Sequence, residues 1–567
     1  MARTNKDTVA LIRTILQDHT DYWEGQSTVL KQYKNAYETR FWDGMVYDES
    51  MIRIETADCF SYVEGYIAAL FSKSPAVVVG GDAANTAGDP ELAQAAANRF
   101  LFSQREQLEI ASRLALIYPN SFLKLSPTHS DEMLDKVSIR AIPPWEVIVD
   151  RDASSWDGQR FVGHTYYLTI PEAKEKFGSK SFTAVPKEDY FSNGPMPYRT
   201  ASPSSGIYGG TNKNYVDLPD DYQYIQVVEL YDLSYDALYF WTPNYKNGEE
   251  LLEKMEIPVR TFDDRPLPTI APLYYARKPD RPMEGLSAVS RVYDQFYEKN
   301  ILRTYWANAV RRDSRQYLYK EGAFDEEELA KITAGIDGAM IATDEANLDG
   351  LIKALEVPPI SSNFDRYLGF IESDINRGSI LAPFTRGEAT KATATEITAL
   401  AQYSASEIGK LARDRDSAIE LIANIYLRQL SLLAEDGEKA VLNVKGNAKI
   451  ITTKDLHGKF RISALDQGNQ PLADAIKKQN LLQLLPILTQ LGVPNEKLKE
   501  GIIRAYDLPE DYLKVPPPPP APPPELAPPI GPQSAPAPSE LPELGPTDNV
   551  PPAGDLAQML GSRGRGV

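Results

Sequence analysis

One amphipathic run constrains this chain more than any other feature. Ile397, Leu400, Ala401, Ile408, Leu411, Ala412, Ile419, Ile422, Tyr426, Leu430 and Leu433 recur at helical spacing. Thr393 and Glu396 stand in front as a capping box. A stripe sustained over about 38 residues predicts a helix of ~57 Å, far longer than a small single-core domain needs. Gly409 and the polar run Arg413–Asp416 are its candidate kink points. The text before it, "APFTRGEATKA" from Ala382 to Ala392, is small, threonine-bearing and basic, and reads as a flexible loop.

Two more rods precede that loop. From Leu286 to Gln316 a continuous helix of roughly 45 Å is predicted. It carries Val289, Tyr293, Phe296, Ile301, Tyr305 and Ala309 on one broad face. Arg311, Arg312 and Arg315 fall in its last turns, where cations suit the helix dipole. The second rod has Phe364, Tyr367, Leu368, Ile371 and Ile375 at helical spacing, with Ser362 and Asp365 as its capping box. Between the rods, residues 317–360 read as a small mixed unit. "QYLYK" and "GAMIAT" are its strands and "DEEELAKITAG" its helix.

The first 285 residues are mixed. Residues 1 to about 75 read as helical, from Val9, Ile12, Ile15 and Leu16 and from Tyr62, Tyr66, Ala69 and Leu70, until Ser74-Pro75 stops the pattern. A further helix is predicted from about Glu91 to Leu116. "SRLALIYPNSFLKLS" reads as two strands around Pro119-Asn120, and "KVSIRAIPPWEVIVDRDA" as two more broken by Pro143-Pro144. "FVGHTYYLTI" alternates as a strand, and "PEAKEKFG" follows as a short helix closed by Gly178. "YIQVVELYDL" and "ALYFWT" pair across a turn, and Asn247-Gly248 marks another. "NGPMPYRTASPSSGIYGGTNKN" reads as a long polar loop. Residues 441–465 return to strand-like text, and 472–513 are helical. From Val515 the chain is proline-dense, with seventeen of the 43 prolines, a composition that favours extended polyproline conformations over a packed core.

The totals exclude several classes. A chain of 567 residues implies two to four domains. Its 42% apolar and 25% charged content is that of a globular protein. A net charge of −19 argues against gripping nucleic acid over the whole surface, while letting a polyanion pass by repulsion. The lone Cys59, in an apolar context, permits no internal disulfide framework and fits a reducing compartment. His19, His129, His164 and His457 have no metal-ligand spacing. The first residues lack the pattern of a signal peptide, and the most apolar segment, Leu481 to Val493, is too short to span a bilayer. A soluble cytoplasmic protein is expected.

The sequence carries little catalytic vocabulary. It has no phosphate-binding glycine loop, no nucleophile elbow and no H-E-x-x-H, so an ATP-driven motor is not expected. Two acidic pairs are candidate divalent-metal ligands, Asp150 with Asp152 and Asp263 with Asp264. A structural role is the simpler reading of both. Arg386 and Lys391 in the basic loop are candidate phosphate contacts, which need no base sequence.

The order of these parts resembles the portal proteins of tailed bacteriophages. "YVEGYIAALFSKSPAVVV" looks like a portal wing segment, "AIPPWEVIVDRDASSWDGQRFVGHTYYLTIPEAKEKFG" like the portal pattern of proline-containing strand, Asp-rich turn and short helix, and "TATEITAL" like the start of the helix after the tunnel loop. The resemblance spans roughly 500 residues and rests on order, since each motif is short. It implies an α+β portal fold: a mixed wing (1–285), stem helix 1 (286–316), an α/β clip (317–360), stem helix 2 (361–381), a tunnel loop (382–394), a long wing helix (395–440), a crown (441–513) and a disordered proline-rich tail (514–567). The tail departs from the common portal pattern. The resemblance further implies a ring of about twelve copies at one capsid vertex of the virion, assembled in the host bacterial cytoplasm. Double-stranded DNA would pass through it during packaging and ejection. The large terminase subunit, then adaptor, head-completion and tail proteins, would dock, and major capsid and scaffolding proteins would surround it. No membrane, cofactor or enzymatic activity is implied. Arg386 and Lys391 would touch DNA, and Tyr293, Phe296, Tyr297, Tyr305 and Trp306 would face a neighbouring subunit. The rivals are another phage structural protein, of tail or head completion, and a metal-dependent nuclease or hydrolase using Asp150, Asp152 or Asp263.

Overall fold

A computed structural model describes residues 3–43, 45, 51–81, 88–184, 223–261, 263–313, 317–319, 324–327, 330, 352–354, 363–378, 394–435, 437–444 and 447–465. All of these belong to the first of two units, Met1–Gly492, the second being Val493–Val567. The described part is mixed α and β.

Helix α1 (Asn5–Tyr37) starts at Thr4, whose hydroxyl accepts from Asp7 N–H at 3.3 Å. Helix α2 (Asp58–Leu70) follows, and after Ser74-Pro75 the chain extends as β1 (Val77–Gly81). The single helix expected over 91–116 is two. Helix α3 (Pro90–Ser103) is capped by Asp89 with proline in its first turn, and α4 (Arg105–Ile117) follows a bend at Gln104. The bend lays α3 on β1 and turns α4 toward the strands that come next.

"SRLALI" is therefore the end of α4 and not a strand. Ala111, Ala115 and Leu116 form its buried face, and Arg113 on the other side meets Glu64 of α2 at 2.6 and 3.0 Å. Only past Pro119 does the chain extend, as β2 (Ser121–Pro127).

Strands β3 (Val137–Ile142) and β4 (Val147–Val149) are separated at Pro143-Pro144, as the sequence predicts. Strand β5 (Phe161–Thr169) runs into α5 (Ile170–Phe177), which Gly178 closes at φ +82°. Strands β6 (Tyr224–Asp232), β7 (Ala237–Trp241), β8 (Leu251–Met255) and β9 (Ile270–Leu273) follow. Asn247 and Gly248 turn between β7 and β8 with φ of 53° and 69°. Two antiparallel sheets result, in the orders β3-β2-β9 and β4-β5-β6-β7-β8.

Alternation along the strands sets the layers. On β6, Val228 and Leu230 face Val9, Ile12 and Ile15 of α1, while Ile225, Val227 and Tyr231 share a second core with Phe177 of α5 and with Phe122 and Ile270 of the smaller sheet. On β2, Phe122 joins that inter-sheet core while Leu123 and Leu125 turn to the large helical core. Strand β2 is thus buried on both faces from Ser121 to Leu125, Lys124 included.

The rods come next: α6 (Tyr293–Asp313), β10 (Tyr317–Tyr319), β11 (Ile352–Ala354), α7 (Asn363–Gly378) and α8 (Ala394–Leu433). A turn at Val289–Arg291 leads into α6. Gly285 there passes so close to Pro119 that a Cβ would overlap the Pro119 carbonyl. Ser287 and Ala288 then reach the last carbonyls of α4, the Ser287 hydroxyl at 2.7 Å from Ile117 O and the Ala288 N–H at 2.9 Å from Leu116 O. The described partner of "YLY" is Ile352–Ala354, in text that was not read as a strand; "GAMIAT" lies outside the described residues.

Helix α8 has 40 residues, ~60 Å, and runs through both candidate kink points. Arg415, in the polar run, is buried and donates to the carbonyl of Leu70 at the C-terminus of α2, where orphan carbonyls favour a cation. Its apolar stripe from Ile408 to Leu430 packs in the chain's own helical core, with Tyr426 stacked on Phe100 at 3.8 Å. Strands β12 (Lys439–Val444), β13 (Asn447–Thr452) and β14 (Phe460–Ala464) end the described chain. Strand β14 pairs with β1, so the text after the last rod closes onto the first hundred residues, across the boundary drawn at 440. The basic loop at 382–393, residues 466–513 and the proline-rich tail lie outside the described residues. Among those described, no helix is long and apolar enough to cross a membrane.

Candidate functional site

Helix α7 returns antiparallel along α6. The pairing runs from Trp306 and Phe364, with ring centroids 6.2 Å apart, through Glu298 and the Tyr367 hydroxyl at 2.5 Å and Lys299 with Glu372 at 3.3 Å, to Val292 beside Gly378. The five residues expected at a subunit interface divide. Phe296 is 2% exposed and packs against Tyr62, and Tyr293 is half-buried against Tyr33. Both belong to the chain's own core, because the first half of α6 lies against α1 and α2. Tyr297, Tyr305 and Trp306 point outward, Tyr305 at 62% exposure, and Val310, Tyr367 and Phe370 are exposed with them. The buried stripe of α6 turns polar from Asn300 to Asn308, so spacing alone does not separate its inner from its outer face. Six large apolar side chains are thus exposed along the two paired helices.

Neither acidic pair gathers a third candidate ligand among the described residues. Asp150 is 4% exposed, and its carboxylate is taken up by Arg160, one of whose contacts is 2.9 Å, and by the N–H of Asp152 at 3.3 Å. Gln159 accepts from the Asp150 N–H at 2.7 Å and donates to its carbonyl at 3.0 Å. The Arg160 guanidinium holds the Asp150 carboxyl below the usual carboxylate range, although burial opposes this. Asp152 is 93% exposed. The DRD text is therefore an anchored turn. Asp263 and Asp264 are exposed on another turn, where Arg260 reaches the Asp264 carbonyl at 3.1 Å. Among the described residues no three His, Cys, Asp or Glu come together in a set able to hold a metal ion.

The sequence reading missed a buried ionic network between the two sheets. Lys124 of β2 donates to Glu229 Oε2 of β6 at 2.7 Å and to His164 Nδ1 of β5 at 3.0 Å. Tyr231 donates to Glu229 Oε1 at 2.7 Å and lies 2.9 Å from the Thr269 hydroxyl. An ammonium can only donate, so His164 Nδ1 is the acceptor and its proton sits on Nε2, 3.7 Å from Glu146 Oε2. Burial raises Glu229, but Lys124 and Tyr231 outweigh it and the carboxyl stays below its ordinary value. Burial, then the charge of Lys124, pushes His164 well down. These groups are closed from solvent and tie β2 to β5 and β6. A signal was present: "FLKLS", "VGHTY" and "VVELY" each put one polar residue at an inward position of a buried strand.

A cleft of about 450 Å³ lies along α8, bordered by Trp156, Arg277, Asp414, Asn424 and Arg461. Burial raises the Asp414 carboxyl there. Its mixed charges select no ligand class. Arg386 and Lys391 lie outside the described residues. In comparison with known proteins, no family model and no curated sequence matches the chain.

Proposed function

We propose that this chain is a tailed-phage portal protein. In this reading about twelve copies close into a ring at one capsid vertex, genomic double-stranded DNA enters and leaves through the centre, and terminase and later adaptor and tail proteins dock on the ring. The observation that carries the reading is serial. An antiparallel rod pair brackets a short β pair, a basic loop sequence follows, and a 40-residue helix then returns into the core of the first half. The outer aromatic edge of the rod pair supports a repeated contact, since one copy leaves Tyr305, Trp306 and Phe370 in water. The charge of −19 per chain supports a channel that DNA slides through without sticking.

Negative-stain imaging of the purified protein tests the reading alongside a Tyr305→Lys/Trp306→Glu variant. Annular particles with a central hole are expected from the wild type, and folded single chains from the variant. Solid or filamentous particles would favour another phage structural protein. Mg²⁺-dependent cleavage of DNA, lost in Asp152→Asn, would favour the nuclease.

A further inference from the structure

Away from its exposed edge, α6 changes character along its length. Val292 just before it and Phe296 in its first turn are apolar and deep in the core. The next three inward positions at four-residue spacing are Asn300, Thr304 and Asn308, all buried. Residues 51–57, which form no helix or strand, run against them in the opposite direction.

The bonds form a ladder. Ile52 N–H donates to Asn308 Oδ1 at 2.9 Å, and Asn308 Nδ2 returns a bond to Ile52 O at 2.7 Å. Ile54 N–H donates to Thr304 Oγ1 at 2.9 Å, and the Thr304 hydroxyl lies 3.4 Å from Ile54 O. Thr56 N–H donates to Asn300 Oδ1 at 2.8 Å. The periods agree: four residues of helix advance ~6 Å, and two residues of extended chain advance about 6.6 Å. Both asparagine amides are held from behind, since each Nδ2 also donates to the carbonyl four residues earlier, Phe296 O at 2.9 Å and Thr304 O at 2.7 Å. That fixes each Oδ1 outward as an acceptor. Trp42 holds the same Ile54 carbonyl, its Nε1 donating to Ile54 O at 3.1 Å.

The segment buries little. Ile52, Arg53 and Glu55 are exposed, and Ile54 and Thr56 only half-buried. Main-chain hydrogen bonds hold it, and such bonds contribute modestly beside apolar burial. Elements with few buried apolar contacts open below the global unfolding free energy.

We propose that residues 52–56 are a releasable strap, and that the ladder of Asn300, Thr304 and Asn308 latches the outer half of α6 while Phe296 acts as its fixed end. Releasing the strap frees residues 300–311 and leaves the first turns of α6 seated. This holds whether or not the chain is a portal protein, because it uses only contacts within one chain.

Hydrogen exchange read by mass spectrometry on the full chain tests it. Asn308→Ala removes both partners of Ile52, and Ile54→Pro removes the N–H that Thr304 accepts, while Ile54→Ala keeps that N–H and trims the side chain. Exchange in 52–56 and 300–311 is expected to speed up about tenfold or more in Asn308→Ala and Ile54→Pro. Ile54→Ala and the amides of β5 and β6 should stay near wild type. The proposal fails if Ile54→Ala opens the strap as far as Ile54→Pro does, because side-chain packing would then be the tie. It also fails if Asn308→Ala leaves 52–56 unchanged, or if that variant loses protection throughout the molecule.

Discussion

His19 is folded in its neutral form. Its Nε2 donates to the carbonyl of Trp145 at 2.7 Å, and burial pushes its pKa down to about 4. The unfolded chain takes up a proton near pH 6.5 and the folded chain refuses it, so stability is full above that pH and falls as pH drops toward 4. The loss is about 3 kcal/mol for this one group, and His164, shifted the same way, adds to it. Urea midpoints between pH 7 and 4 should therefore fall less steeply in His19→Gln than in wild type, and parallel curves would remove the assignment. At this scale the turn residues were legible, because Asn247-Gly248 and Gly178 carry their backbone preference with them. The buried polar residues were not. Lys124, His164 and Glu229 are separated by up to 105 positions, and only strand pairing brings them together.

At the scale of elements, the tie between the sheets rests on Lys124 and Glu229, 10% and 7% exposed. Lys124→Met strands a buried carboxylate and should cost about 3–5 kcal/mol, whereas Lys124→Met/Glu229→Leu should recover much of that loss. Equilibrium unfolding of both variants measures it. An additive double variant would mean the two groups are not coupled. Strand β3 was legible from period-2 alternation, and β6 and β7, buried along nearly their whole length, from β-branched and aromatic text between turns. The end of α4 was misread because "SRLALIY" is short and apolar, and such text fits a buried strand or a helix until its partner, Glu64 on α2, is known. The inner and outer faces of α6 were confused for a related reason. Its buried stripe is polar from Asn300 to Asn308 while Tyr305, Trp306 and Val310 are exposed, so hydrophobic periodicity marks neither side.

For the whole molecule the central claim is that one chain leaves its rods unfinished. The stripe of α8 from Ile408 to Leu430 is satisfied internally, while Tyr297, Tyr305, Trp306, Val310, Tyr367 and Phe370 are exposed. In the proposed ring a neighbouring copy covers these side chains. The rod order was legible because long amphipathic runs are the strongest signal a sequence carries, whereas which of their faces lies inward depends on long-range packing that spacing does not encode. The mass of the purified full-length assembly in solution tests this most directly. A single closed species of about 760 kDa, twelve copies of the 63.1 kDa chain, is the expected result. A stable, folded single chain of 63.1 kDa at micromolar concentration would contradict it.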